Sequence, residues 1–434
     1  GSSKFIDLNS SGAYNLTITS GRLNLTGSDD FEIKRSGAST GVLTTGTRLL
    51  MLVDNGRVLK ISVPVAIAVS KEGAGTLEIN AASTFTGVLT INDGTVKYGS
   101  SGDLAATMPL TTWGSGKLDI AGKTDTIAAA TIYAGGITNS AAGGNLTITT
   151  LTMGSGPAGS SARAHTGTGT LTLGGNVTYS VLNDPNTAVI AGNLALNGAT
   201  RTFTVNDSVS SNAVIDLDVP AVVSGAAGFG ITKAGTGAMR LSGTNTFDGP
   251  VSVTGTLLAR HPQALGVPSA ARALTVAASS SLVFDGVNGN ISVPANYTTL
   301  SLSGAGNTLL GPISGALVNW AGTNSVPSTI TLAAATQLAS LKTANKLTLS
   351  GNISGAFGLT VYGEGDTDLG GVLGTGAGTL IKYGGGTLTL SGAGANTFSG
   401  ATTVYGGTLL LNKNAGVNAI PGAGAINTYS GGLV

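Results

Sequence analysis

The side chains best equipped for chemistry in this chain are few and scattered. There are two histidines, His165 and His261, and neither has a carboxylate at a spacing that would orient it as a general base. Serine is so abundant that a Ser-His-Asp reading carries no signal of its own. Asp29, Asp30 and Glu32 form a small acidic group followed by Lys34 and Arg35. Such alternating sign reads as a solvated strand edge that resists stray pairing, whereas glycosidase carboxylates need a facing partner. The densest polar cluster is Glu364, Asp366 and Asp368, within a glycine-rich turn from Gly363 to Gly370. Carboxylates this close supply the hard oxygen ligands that Ca²⁺ takes. The spacing is not that of the calcium nonapeptide and it occurs once rather than in a stack. It is a weak calcium candidate, with a solvated acidic turn as the default. None of the glycine-rich stretches has the Lys-Ser/Thr and helix of a phosphate loop. These residues point to no cofactor and to a chain that is not an enzyme.

The elements that would have to position such residues follow from composition. The chain has 434 residues, 69 of them glycine, no cysteine, and 9% charged side chains. Roughly 25% charge is ordinary, so the long charged side chains that usually cover helices are missing. Lysine plus arginine number 21 against 20 acidic residues. A net charge of +1 lacks the basic face of a nucleic-acid binder. Zero cysteine excludes a disulfide scaffold, a thiol nucleophile and Cys-ligated metal. A hydrophobic content of 41% excludes a charge-expanded coil. No apolar run reaches the ~18 residues of a membrane helix, and the best, Ile61 to Val69, is broken by Pro64. Gly1-Ser2-Ser3-Lys4 shows no signal peptide, as expected of a mature, processed chain.

Internal repeats are the strongest feature. Three segments align: Lys71-Glu72-Gly73-Ala74-Gly75-Thr76-Leu77-Glu78-Ile79, Lys233-Ala234-Gly235-Thr236-Gly237-Ala238-Met239-Arg240-Leu241 and Lys382-Tyr383-Gly384-Gly385-Gly386-Thr387-Leu388-Thr389-Leu390. Each leads to Ser83-Thr84-Phe85, Asn245-Thr246-Phe247 or Asn396-Thr397-Phe398, and then to Gly94-Thr95-Val96, Gly255-Thr256-Leu257 or Gly407-Thr408-Leu409. The modules divide the chain into residues 1–69 (N-terminal β rungs), 70–228, 229–379 and a partial third copy, 380–434. The third copy stops early, so the natural polypeptide is expected to continue past Val434. Lys71, Lys233 and Lys382 read as structural markers of each module start rather than a ligand row. Phe85, Phe247 and Phe398 read as core anchors, and Gly94, Gly255 and Gly407 as turns.

Leu388 and Leu390 alternate with Thr387 and Thr389, the two-residue period of a strand with one buried face. Strand, turn, strand, turn with short apolar pairs cannot bury a core alone, and stacking rungs makes that core continuous. The expected fold is all-β: an elongated, right-handed parallel β-solenoid, or β-helix, forming one continuous body. At about 20 residues per rung and ~4.8 Å per rung it would have about 20 rungs and a length of ~100 Å. A chain of antiparallel β-sandwiches is the alternative.

The combination Lys-x-Gly-x-Gly-x-Leu-x-Leu, Asn-Thr-Phe-x-Gly and Gly-Thr-Leu resembles the passenger-associated transport repeat of bacterial autotransporters, also called the autotransporter-associated β-strand repeat. The three cores cover about a fifth of the chain. The resemblance implies an extracellular or cell-surface β-helical protein exported across the outer membrane, of the class that holds adhesins and autoaggregation proteins. The series of ~10-residue lipid-facing strands of a membrane barrel is not visible, so secretion route and anchoring stay undefined. The expected role is structural and adhesive. The expected partners are other copies of the chain, joined head to tail into filaments because neither end shows a charged cap, and surface glycans or neighbouring cells. Nucleic acid is not an expected partner, and no membrane-spanning segment is expected in this chain. A stalk presenting another domain, or a β-helical polysaccharide-degrading enzyme, are the alternatives.

Overall fold

A computed structural model describes residues 4–8, 12, 14–84, 87–210, 213–311, 314–421, 425–429 and 431–434. Regular structure is β, apart from one three-residue 3-10 turn, Gly286–Asn288, and none of it is a helix long and apolar enough to cross a membrane. The contacts divide the chain into two compact units. One comprises residues 1–197 with 208–213, the other 198–207 with 214–434.

The first turns of the first unit carry a short third strand, Leu16–Thr17 pairing with Leu43–Thr44, and the turns that follow contribute two strands each. Ala68–Glu72 and Thr76–Ile79 form one turn, Leu89–Ile91 and Thr95–Tyr98 the next, Pro109–Thr112 and Lys117–Asp119 the one after. Like strands pair in parallel: Ser70 with Thr90, Thr90 with Thr111, Leu77 with Val96, Val96 with Leu118. The alternation seen in the sequence decides what faces in. Leu59, Leu77, Val96, Leu118 and Ile137 fall in one inward column, each at most 1% exposed. Each such side chain contributes about 1.5–3 kcal/mol of burial, and none could be buried by its own rung.

The second unit begins with the same two-strand turns and then adds a third strand. Thr329–Leu332, Thr336–Ser340 and Lys346–Leu349 make one turn, Ile353–Ser354, Leu359–Tyr362 and Asp366–Leu369 the next. The third strands pair in parallel from Thr323–Val326 through Thr387–Gly392 to Gly407–Lys413. The fold is thus the expected parallel β-solenoid, of about 18 turns. The parallel ladders exclude antiparallel sandwiches, whose strands exchange bonds in closely and widely spaced pairs.

The rungs are not uniform. Leu59 pairs with Leu77, 18 residues on, whereas Val283 pairs with Val318, 35 residues on. Extra residues sit in loops such as 303–311, which lengthen a turn without adding a rung. Lengthening a loop costs little entropy, so a constant 20-residue rung is not enforced.

Candidate functional site

The three repeat lysines do not face solvent. Lys71, Lys233 and Lys382 are 0%, 0% and 2% exposed. Each occupies an inward-facing position at or next to the end of its strand, and each ammonium spends its three N–H donors on three backbone carbonyls. Lys71 Nζ donates to Glu72 O (2.9 Å), Gly73 O (2.5 Å) and Asp93 O (3.2 Å). Lys233 Nζ donates to Ala234 O (2.9 Å), Gly235 O (2.9 Å) and Thr254 O (3.0 Å). Lys382 Nζ donates to Tyr383 O (2.8 Å), Gly384 O (2.6 Å) and Gly406 O (3.4 Å). Two acceptors lie in the lysine's own corner and the third in the corner of the next turn. The side chain is a latch between successive rungs. Burial pushes each ammonium down to about 8, opposed by Asp93 and Glu72 at Lys71, by Asp216 at Lys233, and by Glu364 and Asp366 at Lys382. A purely local role for Lys382, with little cost on removal, is the reading the sequence invites; the bond to Gly406 in the next turn contradicts it.

The glycine that closes each module is explained by the same latch. Gly94, Gly255 and Gly407 have φ of 67°, 78° and 67°. A Cβ there would lie 2.2–2.5 Å from the carbonyl of Gly73, Gly235 or Gly384, each of them bound by a lysine. Phe247 and Phe398 are 0% exposed; Phe85 lies outside the described residues. The residue two before each of these phenylalanines does more than make a turn. Asn245 Oδ1 accepts from Val223 N (2.9 Å) in the preceding turn, and its Nδ2 donates to Ala264 O (2.7 Å) in the following one. Asn396 repeats both bonds, with Leu373 N (2.9 Å) and Ala419 O (2.7 Å). In the first module Ser83 Oγ accepts from Val65 N at 3.2 Å.

The acidic turn does not converge. Glu364 Oε1 accepts from Gly385 N (3.2 Å), Asp366 Oδ1 from Thr387 N (2.9 Å), and Asp368 Oδ1 from Ser391 Oγ (2.6 Å). Each carboxylate caps a different group of the next turn. Among the described residues no three His, Asp or Glu side chains group as metal ligands would. Asp29 pairs with Lys4 (2.9 Å), while Asp30 and Glu32 accept from Val58 N (2.8 Å) and Ser62 Oγ (2.6 Å). His165 and His261 fall in different units, and His261 Nδ1 accepts from Gln263 N at 3.1 Å.

Sequence reasoning misses an aromatic column. Val361, Lys382, Val404 and Thr428 are in register in the second unit, which places the residues after them, Tyr362, Tyr383, Tyr405 and Tyr429, one above another. Ring centroids are 5.8, 4.6 and 4.7 Å apart, with interplanar angles of 31°, 3° and 14°. Tyr405 and Tyr429 are 39% and 55% exposed. The neighbouring outward column, Thr360, Ile381, Thr403 and Asn427, carries no charge. The result is an uncharged outward column edged with phenols. Because ring faces are spent on each other, the column offers edges and hydroxyls rather than open stacking platforms.

These features define a repeat-built parallel β-solenoid whose modules are latched from inside. The passenger-associated-transport-repeat model matches the chain at residues 69–97, 231–258 and 380–411, segments that hold the three lysines and their closing glycines. The chain therefore carries three repeats of the autotransporter passenger repeat family and, with this fold, fits an autotransporter passenger domain. No curated protein and no solved structure matches it.

Proposed function

We propose that this chain is a non-enzymatic structural and adhesive protein of the bacterial cell surface, and that copies of it associate. The observation that carries the reading is the tyrosine column, exposed at Tyr405 and Tyr429 beside an uncharged strand column, mounted on rungs that are latched from within. Burying aromatic edges and uncharged neighbours against another surface involves little desolvation of charge. The passenger repeat supports export to the surface. Every rung edge offers the same parallel ladder, so head-to-tail pairing of copies into fibres is the arrangement favoured by the backbone. The net charge of +1 opposes association weakly.

The test is light scattering and negative-stain microscopy of the 434-residue chain, alongside Tyr383→Asp/Tyr405→Asp. Concentration-dependent assemblies or fibres that the double variant weakens support the reading. Monomeric particles at every concentration, with no attachment to cells, would leave a passive stalk instead. Release of reducing or unsaturated sugars from polysaccharide would overturn the non-enzymatic role.

A further inference from the structure

The outer surface of the first unit carries a basic notch that the latches and the tyrosine face do not account for. Strands Thr95–Tyr98, Lys117–Asp119, Gly135–Thr138 and Ala162–Leu173 stack in register. Thr95, Lys117, Gly136 and Arg163 make one outward column across four successive turns. Lys117 and Arg163 are exposed, and Gly136 lies between them. Gly136 has φ 146°, and a Cβ on it would collide with the backbone oxygen of Arg163. Gly136 is itself buried in the ladder, and no side chain can stand between the two cations. Thr138 and His165 form its side, and all of these residues line one groove.

The charges here are unspent. Neither Lys117 nor Arg163 forms an ion pair among the described residues. The one carboxylate in the groove, Asp119, is 6% exposed, and its Oδ1 accepts from Ala121 N and Ser140 N, both at 2.9 Å. Its charge is held by the backbone rather than by the two cations. In a chain of 21 cations and 20 anions, this is a local surplus of positive charge over a floor that carries no side chain.

We propose that the notch binds a linear acidic polysaccharide bearing a carboxylate or sulfate on alternate sugars, lying along the stacking direction. Lys117 and Arg163 are two turns apart, about 10 Å at the strand spacing of a sheet. A pyranose in an extended β-linked chain advances by close to one such spacing, so every second sugar presents its anion at a cation. With no side chain at Gly136, nothing rises between the cations against the uncharged sugar. The Arg163 guanidinium offers a planar fork to a carboxylate or sulfate, and Lys117 a point charge. No Phe, Tyr or Trp lines the groove, so it lacks the base-stacking platforms of single-stranded nucleic-acid sites. The site adds a ligand to the surface-protein reading and stands whether or not copies associate.

The experiment is calorimetric titration of the full chain with a size-defined oligosaccharide carrying a uronate on alternate sugars. Its carboxyl-reduced neutral counterpart and a single-stranded oligonucleotide of equal charge serve as comparisons. The acidic oligosaccharide should bind, weaken as salt rises, and lose about tenfold in affinity with Lys117→Gln or Arg163→Gln. Lys346→Gln, in the other unit, removes the same charge and should leave binding unchanged. Exposed Lys117 and Arg163 can be replaced without touching the core, and unchanged melting curves verify that. Equal binding of the neutral sugar, equal binding of the oligonucleotide, or an equal loss with Lys346→Gln would each overturn the proposal. None of these results bears on assembly, which light scattering reads separately.

Discussion

Replacing Lys233 by methionine keeps the length of the side chain and removes its ammonium. Ala234 O, Gly235 O and Thr254 O then lose a donor inside the solenoid. A buried polar group left unsatisfied costs about 1–3 kcal/mol, so three carbonyls cost several. Against this, the variant no longer buries a cation. The fall of the ammonium from 10.5 to about 8 sets that relief at no more than ~3 kcal/mol. The net expectation is a loss of about 3 kcal/mol at pH 7, concentrated in residues 231–258, because solenoid rungs unfold as nearest-neighbour units. The pH dependence has a definite sign. The lysine binds its proton up to about pH 10.5 in the unfolded chain but only to about 8 when folded. Between those values the unfolded state holds more protons, so wild-type stability rises with pH there and falls back as pH drops through 8. Lys233→Met lacks this contribution, so its deficit should widen from pH 8 to 10.5. Urea melts of both proteins across that range, with hydrogen exchange at Val251–Val253 at neutral pH, make the measurement. A variant within 0.5 kcal/mol of wild type, or a deficit that narrows above pH 8, would refute the latch.

Further expectations follow from the same geometry. Phe398→Ala should cost about 3–5 kcal/mol in urea melts, since the ring is 0% exposed, whereas Phe357→Ala, 41% exposed, should cost less than 1 kcal/mol. Asn396→Leu strands one amide and one carbonyl, on either side of its own turn, and should lower stability by about 2 kcal/mol; a neutral effect would show that the bridge is idle. Gly255→Ala puts a Cβ 2.2 Å from Gly235 O at a positive φ, and should be more destabilising than Gly416→Ala, whose Cβ meets nothing within 4 Å. A chelator should leave the melting temperature nearly unchanged, because the carboxylates of Glu364, Asp366 and Asp368 each cap a separate group; a fall of many degrees, restored by Ca²⁺ and lost in Asp366→Ala, would refute that assignment.

The features legible in the sequence are local. Alternation such as Thr387-Leu388-Thr389-Leu390 and the glycine at each corner depend on the pleat and on backbone sterics within a few residues. That was enough for strands and the parallel stack, since an apolar pair too small for a core implies its neighbours. The recurrence of Lys, Asn-Thr-Phe and Gly singled out positions, but not what they bond to. Lys382 looks local because its third acceptor, Gly406, is 24 residues away. Which residues share an outward column depends on the length of every intervening turn, and turns as different as 18 residues (Leu59 to Leu77) and 35 (Val283 to Val318) occur in the described residues. Tyr362, Tyr383, Tyr405 and Tyr429 become a column, and Lys117, Gly136 and Arg163 a notch, once the parallel ladders set that register. Register is a sum over loops that cost little to lengthen. No single segment encodes it, and the surfaces that meet a partner were decided by the tertiary structure alone.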